Sequence, residues 1–106
     1  MGKRKVSLEL LKSIAAFINE VNKYYSIDAV YLFGSYANGT NHEWSDVDLA
    51  IVSKDIKDRL KDRAKLFAIA SDFDILIEPH PYNTNDFNAD EYMLVDEILR
   101  TGIKVA

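Results

Sequence analysis

Apolar residues open the chain at helical spacing. Leu8, Leu11, Ala15, Ile18, Val21 and Tyr25 recur three or four apart, and Leu10, Ile14 and Phe17 widen the stripe. With Ser7 ahead of them as an N-cap, they predict a well-buried first helix. The pattern then changes. Ala29 to Phe33 is β-rich and ends at Gly34, which predicts a buried strand closing in a turn. Ser35 to Ser45 is polar, with Asn38-Gly39 as a turn signal, and Val47 to Val52 predicts a second strand. Lys54 to Ala70 follows a helical period, with Ile56, Leu60, Ala64 and Phe67 inward and Lys57, Lys61 and Lys65 on a solvated face. Phe73 to Glu78 predicts a third strand, stopped by Pro79 and Pro81. Thr84 or Asn85 caps a last helix from about Asp90 to Arg100, and Thr101-Gly102 ends it. Ile103 to Val105 adds a short edge strand.

The order α-β-β-α-β-α predicts a two-layer α+β (or α/β) domain with a small mixed sheet and helices packed on it. The first connection is short and turn-rich, so the first two strands are expected to be antiparallel. The second carries a long helix, so the second and third are expected to be parallel. That arrangement gathers polar groups at one sheet edge. Gly34-Ser35 leave the end of the first strand, Asp46 and Asp48 open the second, and Asp74 opens the third.

Composition narrows the classes without choosing among them. A chain of 106 residues, 48% hydrophobic and 28% charged, favours one small globular domain over residues 1–106. The lack of cysteine excludes disulfides, thiolate metal sites and cysteine nucleophiles, and fits a reducing cytoplasm. No apolar run reaches the roughly 18 residues of a membrane span, and no signal peptide is expected. A net charge of −4 argues against general nucleic-acid binding, while 13 Lys and Arg leave local phosphate contacts open.

The chemistry rests on the acids. Residues two apart on a strand share a face, so Asp46 and Asp48 point one way and Val47, Leu49 and Ile51 the other. Adjacent carboxylates repel unless a cation lies between them, and hard oxygen ligands of this kind suit Mg²⁺. Two such ions about 4 Å apart activate an attacking oxygen and stabilise a leaving one. Gly34 lets the backbone approach a phosphate closely, and Ser35 adds a hydroxyl. Either fragment alone is weak, since 11 Asp in 106 residues give roughly one Asp-x-Asp by chance. The joint pattern is far more specific. It sets Gly-Ser after an apolar strand, then a ten-residue spacer, alternating acids and a later acid before another strand.

Phe33-Gly34-Ser35, ten residues, Asp46-Val47-Asp48 and then Asp74 resemble the nucleotidyltransferase superfamily typified by DNA polymerase β. The likeness is nearest to its minimal MNT-type members and extends over most of the chain. It implies a minimal nucleotidyltransferase domain in which Gly34 and Ser35 bind the β- and γ-phosphates. Asp46 and Asp48 would hold two Mg²⁺ ions, and Asp74 would complete one metal site and help activate the acceptor hydroxyl. One departure is visible. Relatives often carry Arg in a Gly-Ser-x-Ala-Arg-Gly run, where this chain has Asn38 in Gly34-Ser35-Tyr36-Ala37-Asn38-Gly39. Minimal MNT proteins resemble the antitoxin half of MNT–HEPN toxin–antitoxin pairs. This implies transfer of AMP from ATP, or of another NTP's monophosphate, to a tyrosine of a helical HEPN partner.

Two other functions fit the same residues. One is a binding module that neutralises a partner by occlusion, motivated by Asn38 and by the apolar Tyr92, Met93, Leu94, Val95, Ile98 and Leu99. The other is a small-molecule nucleotidyltransferase completed by a second subunit in a homo-oligomer. The remaining chemistry-bearing side chains have plain readings. His42 and His80 read as exposed loop histidines, and Trp44 as a base-stacking residue or a loop anchor. Glu78 reads as a salt-bridge or solvent-facing residue.

Overall fold

The computed structural model of the chain describes residues 6–41, 45–88 and 93–106. Its elements are α1 (Leu8–Val21), β1 (Ile27–Phe33), α2 (Ser35–Asn38), β2 (Val47–Ser53), α3 (Arg59–Ala70), β3 (Ile77–Tyr82), a 3₁₀ turn (Thr84–Asp86), α4 (Met93–Thr101) and β4 (Ile103–Lys104). The sheet has four strands in the order β3-β2-β1-β4. As expected, β1 and β2 are antiparallel and β2 and β3 parallel. The mixed α+β sheet carries helices on both faces.

Strand alternation divides the core. Val30 and Leu32 of β1, Val47, Leu49 and Ile51 of β2 and Ile77 of β3 pack with α1 and α3. Phe33, Ala50, Val52 and Tyr82 turn the other way and meet Val95 and Ile98 of α4. Ser7 caps α1 through its Oγ, which accepts from the Leu10 N–H at 3.1 Å. The buried face of α1 is Ile14, Phe17, Ile18 and Val21, while Leu8 and Leu11 are exposed.

Leu8, Leu11 and Ala15 of the expected α1 stripe are exposed, and Thr84 and Asn85 lie in a 3₁₀ turn capped by Asn83 instead of capping α4; two elements differ more widely from the sequence expectation. Helix α3 starts at Arg59, capped by the Asp58 carboxylate, which accepts from the Leu60 and Lys61 N–H groups. Its buried residues are Leu66 and Ala70, whereas Leu60 is 82% exposed and Phe67 40%. The inward stripe also carries a half-buried carboxylate, Asp62, which binds the Tyr25 hydroxyl at 2.7 Å and so hides the true face from an apolar-only reading.

The second difference moves β3. It runs over Ile77–Tyr82, four residues beyond the predicted Phe73 to Glu78, straight through Pro79 and Pro81. β3 is an edge strand, which tolerates proline where the missing N–H would face away from the sheet. The carbonyls of these prolines confirm that direction. Pro79 O accepts from Arg63 Nε at 3.3 Å and Pro81 O from Arg59 Nε at 2.9 Å, both from outside the sheet.

Candidate active site

The register sets the site. Phe33 pairs with Asp48 across β1 and β2, so the next residue, Gly34, passes the Asp48 carboxylate. Gly34 has φ 76° and ψ −148°, a conformation that side chains rarely adopt, and a Cβ there would overlap Asp48 Oδ2. Glycine is therefore required twice, by the backbone and by the acid. Ser35 starts the single turn of α2. Gly34 O accepts from the Ala37 and Asn38 N–H groups at 3.1 Å each, and Gly39 ends the turn at φ 81°. Asn38 is exposed, and its Oδ1 accepts from the Thr40 hydroxyl at 2.7 Å, so it serves the turn locally.

On the next strand Asp48 pairs with Glu78, and Ala50 with His80. His80 reaches back along the sheet. Its Nε2 lies 3.1 Å from Asp48 Oδ1 and 3.7 Å from Glu78 Oε1. One ligand atom from each of Asp48, Glu78 and His80 lies within 4.8 Å of the others. The Phe33 ring meets the imidazole edge-on, with centroids 4.9 Å apart. Arg63 approaches Glu78 from the sheet edge, with Nη2 3.4 Å from Oε2.

The electrostatics follow from this crowding. Glu78 titrates above the usual carboxylate range. The main cause is the hydrogen bond its protonated form shares with Asp48, then burial and the Asp48 charge, while His80 and Arg63 oppose the shift. Two carboxylates that compete for one proton suit a shared cation. With the imidazole beside them, the donor set fits a divalent metal ion.

Of the residues singled out in the sequence, Asp48 lies in this group, Gly34 stands against it and Ser35 follows directly. Asp46 is exposed, immediately ahead of β2, and is outside the group. Asp74 does not open β3. It is exposed in the bends between α3 and β3, three residues before the strand begins. The physical reason is the strand's slide past the prolines. A slide of four residues keeps the same face but changes which acid meets Asp48. Glu78, open in the sequence to a salt bridge or solvent, makes the salt bridge, with Arg63, and also lies opposite Asp48. His80 is a strand residue 20% exposed at its side chain, not a loop histidine. A signal for both was present, because the alternation Ile77, Pro79, Pro81 against Glu78, His80, Tyr82 continues through the prolines. His42, Trp44 and Tyr92 lie outside the described residues, as does the Met93 side chain.

Comparison with known proteins fits this geometry. The family model for polymerase beta nucleotidyltransferases matches residues 15–106. A Methanocaldococcus jannaschii protein, provisionally named a protein adenylyltransferase, is 34% identical over 104 residues, covering 92% of this chain and 100% of the relative. Among solved structures, a provisionally assigned nucleotidyltransferase from Sulfolobus solfataricus superposes with a TM-score of 0.65 at 24% identity, over 98% of this chain and 89% of that one. A toxin–antitoxin structure with AMP-PNP gives 0.59 at 23% identity, over 91% and 72%. At these identities the structures speak to the fold alone, whereas the family match spans most of the sequence. The chain is a nucleotidyltransferase of the polymerase beta family.

Proposed function

We propose that this chain transfers AMP from ATP to a hydroxyl of a protein acceptor, a tyrosine of a HEPN-type helical toxin, and so acts as an antitoxin in the cytoplasm. The observation that carries the reading is Asp48 set opposite Glu78 with Gly34 held against it. The relative named for protein adenylyl transfer supports the acceptor class, and the toxin–antitoxin neighbour with AMP-PNP supports the kind of partner.

On this reading Asp48 and Glu78 hold a divalent ion, and Glu78 takes the role expected of Asp74. Asp46, exposed two residues ahead of Asp48, is available to a second ion. Mg²⁺ in these positions would offset the charge of the triphosphate and polarise the acceptor hydroxyl. Gly34 lets the backbone approach the β- and γ-phosphates, and the Ser35 hydroxyl donates to them. The acceptor oxygen attacks the α-phosphorus and the bond to the β-phosphate oxygen breaks. Pyrophosphate leaves and the hydroxyl proton passes to solvent. Asn38 brings no cation, so the phosphates depend more heavily on the ions.

The test is intact mass of a HEPN partner after incubation with the chain, ATP and Mg²⁺. A gain of one AMP is expected, and Asp48→Asn with Glu78→Gln should abolish it. No gain on an active partner would sink the protein-acceptor reading.

A second reading, neutralisation by occlusion, draws on α4, where Leu94 is 39% exposed and Leu99 46%. It requires the Asp48→Asn, Glu78→Gln protein to neutralise the partner in cells as fully as the parent. Binding without neutralisation would exclude it.

A further inference from the structure

The proposed transfer gives roles to Asp48 and Glu78 but none to His80, and three observations bear on what His80 does there. The first is distance. Ligands in neighbouring positions around an octahedral ion bound at about 2.1 Å lie about 3 Å apart. His80 Nε2 stands 3.1 Å from Asp48 Oδ1 and 3.7 Å from Glu78 Oε1, near that spacing for both. The second is stiffness. His80 is flanked by Pro79 and Pro81, whose rings fix φ, and their carbonyls are bound by Arg63 and Arg59. The third is the ring's setting. Phe33 packs against its edge at 4.9 Å, and the side chain is only 20% exposed. The imidazole is therefore held in place before any ligand arrives.

We infer that His80 is a direct ligand of the divalent ion at this site, giving an imidazole–carboxylate donor set that favours Mn²⁺ over Mg²⁺. The inference rests on the reading above that Asp48 and Glu78 bind a metal. Mg²⁺ takes oxygen ligands and parts reluctantly with its waters, whereas imidazole nitrogen suits first-row transition metals. Mn²⁺ is the member of that series that shares the octahedral oxygen chemistry of Mg²⁺. Without an ion, Nε2–H donates to Asp48. With the proton on Nδ1, the Nε2 lone pair faces the two carboxylates instead.

The test uses untagged protein, Mn²⁺ and inorganic tripolyphosphate, which contains no nitrogen. Pulsed electron paramagnetic resonance of the bound Mn²⁺ should show modulation from a directly bound ¹⁴N. The signal should vanish in His80→Gln, whose fold is checked by circular dichroism. Calorimetric titration should show the Mn²⁺-to-Mg²⁺ affinity ratio falling by roughly tenfold in that variant. Should His80→Gln fail to fold, His42→Gln decides, because the chain has two histidines and a signal that survives there belongs to His80. Bound Mn²⁺ without nitrogen modulation overturns the inference and leaves the carboxylate site standing. Absence of saturable Mn²⁺ binding overturns both.

Discussion

Asp62 and Asp48 are both partly buried acids with side-chain partners, yet the protein treats them in opposite ways. Asp62 is surrounded by donors. Its oxygens accept from the Tyr25 hydroxyl at 2.7 Å, the Lys57 N–H at 2.9 Å and the Asp58 N–H at 3.1 Å. Burial works against its charge, but these bonds and nearby Lys65 outweigh it and hold Asp62 below the usual carboxylate range. Asp48 faces a second carboxylate, and its neighbour Glu78 is pushed up. The first acid joins α3 to the turn that follows α1 and is satisfied by the fold. The second shares its space with another acid and with His80, and such crowded titratable groups mark candidate sites for chemistry.

If that contrast is right, removing the site acid damages activity and spares the fold. Asp48→Asn should lower AMP transfer by about 10³-fold or more, equivalent to roughly 4 kcal/mol of barrier. Its Tm should stay level or rise, because the repulsion with Glu78 is relieved. Glu78→Gln should follow it, while Asp74→Asn should stay near the parent. Rates from pyrophosphate release and melting by calorimetry check both halves. A large loss in Asp74→Asn with none in Glu78→Gln would return the third-acid role to Asp74.

Removing the structural acid should do the reverse. Asp62→Ala strands the Tyr25 hydroxyl and two backbone N–H groups, and should cost about 3 kcal/mol of stability in urea unfolding. The transfer rate at a temperature where the variant is folded should stay within about twofold of the parent. Gly34→Ala lies between the two acids in kind. It strains the backbone and presses on Asp48, so a loss of about 2 kcal/mol should come with a fall in activity. A Gly34→Ala protein with full activity would show that the close approach to Asp48 is not needed.

The same contrast explains what could be read from the chain. Strands β1 and β2 are legible because Ala29 to Phe33 and Val47 to Val52 are mostly apolar and pack into the core on both faces, and Gly34 and the polar spacer mark their ends. Asp48 and Gly34 followed from those runs. The sequence misplaces β3 because proline reads as a stop, a rule that holds for inner strands and fails at an edge. That one shift sets Glu78 rather than Asp74 opposite Asp48 and places His80 in the strand. The face of α3 was misread for a related reason, since Asp62 looks solvated until Tyr25, 37 positions earlier, is known to bind it. In each case the missing information was a partner distant in sequence.

The smallest expected effect tests the structural half alone. Tyr25 loses its proton less readily than a free tyrosine, first because it is buried, then because it donates to Asp62 and faces the charges of Asp62 and Asp55. A phenol raised from 10.0 contributes stability that is complete below pH 10 and is lost as the pH climbs above it. Asp62, lowered from 3.8, contributes in the opposite sense. Its share is complete above that value and is lost as the pH falls through the lower folded one. The pair therefore steepens both limbs of the stability profile. Tyr25→Phe removes the alkaline contribution outright and one cause of the acid one. It should cost about 1 kcal/mol at neutral pH, and the gap to the parent should narrow toward both extremes. Urea melts of the two proteins from acid to alkaline pH measure that gap. A gap constant with pH would mean that the Tyr25–Asp62 bond contributes by packing rather than by charge.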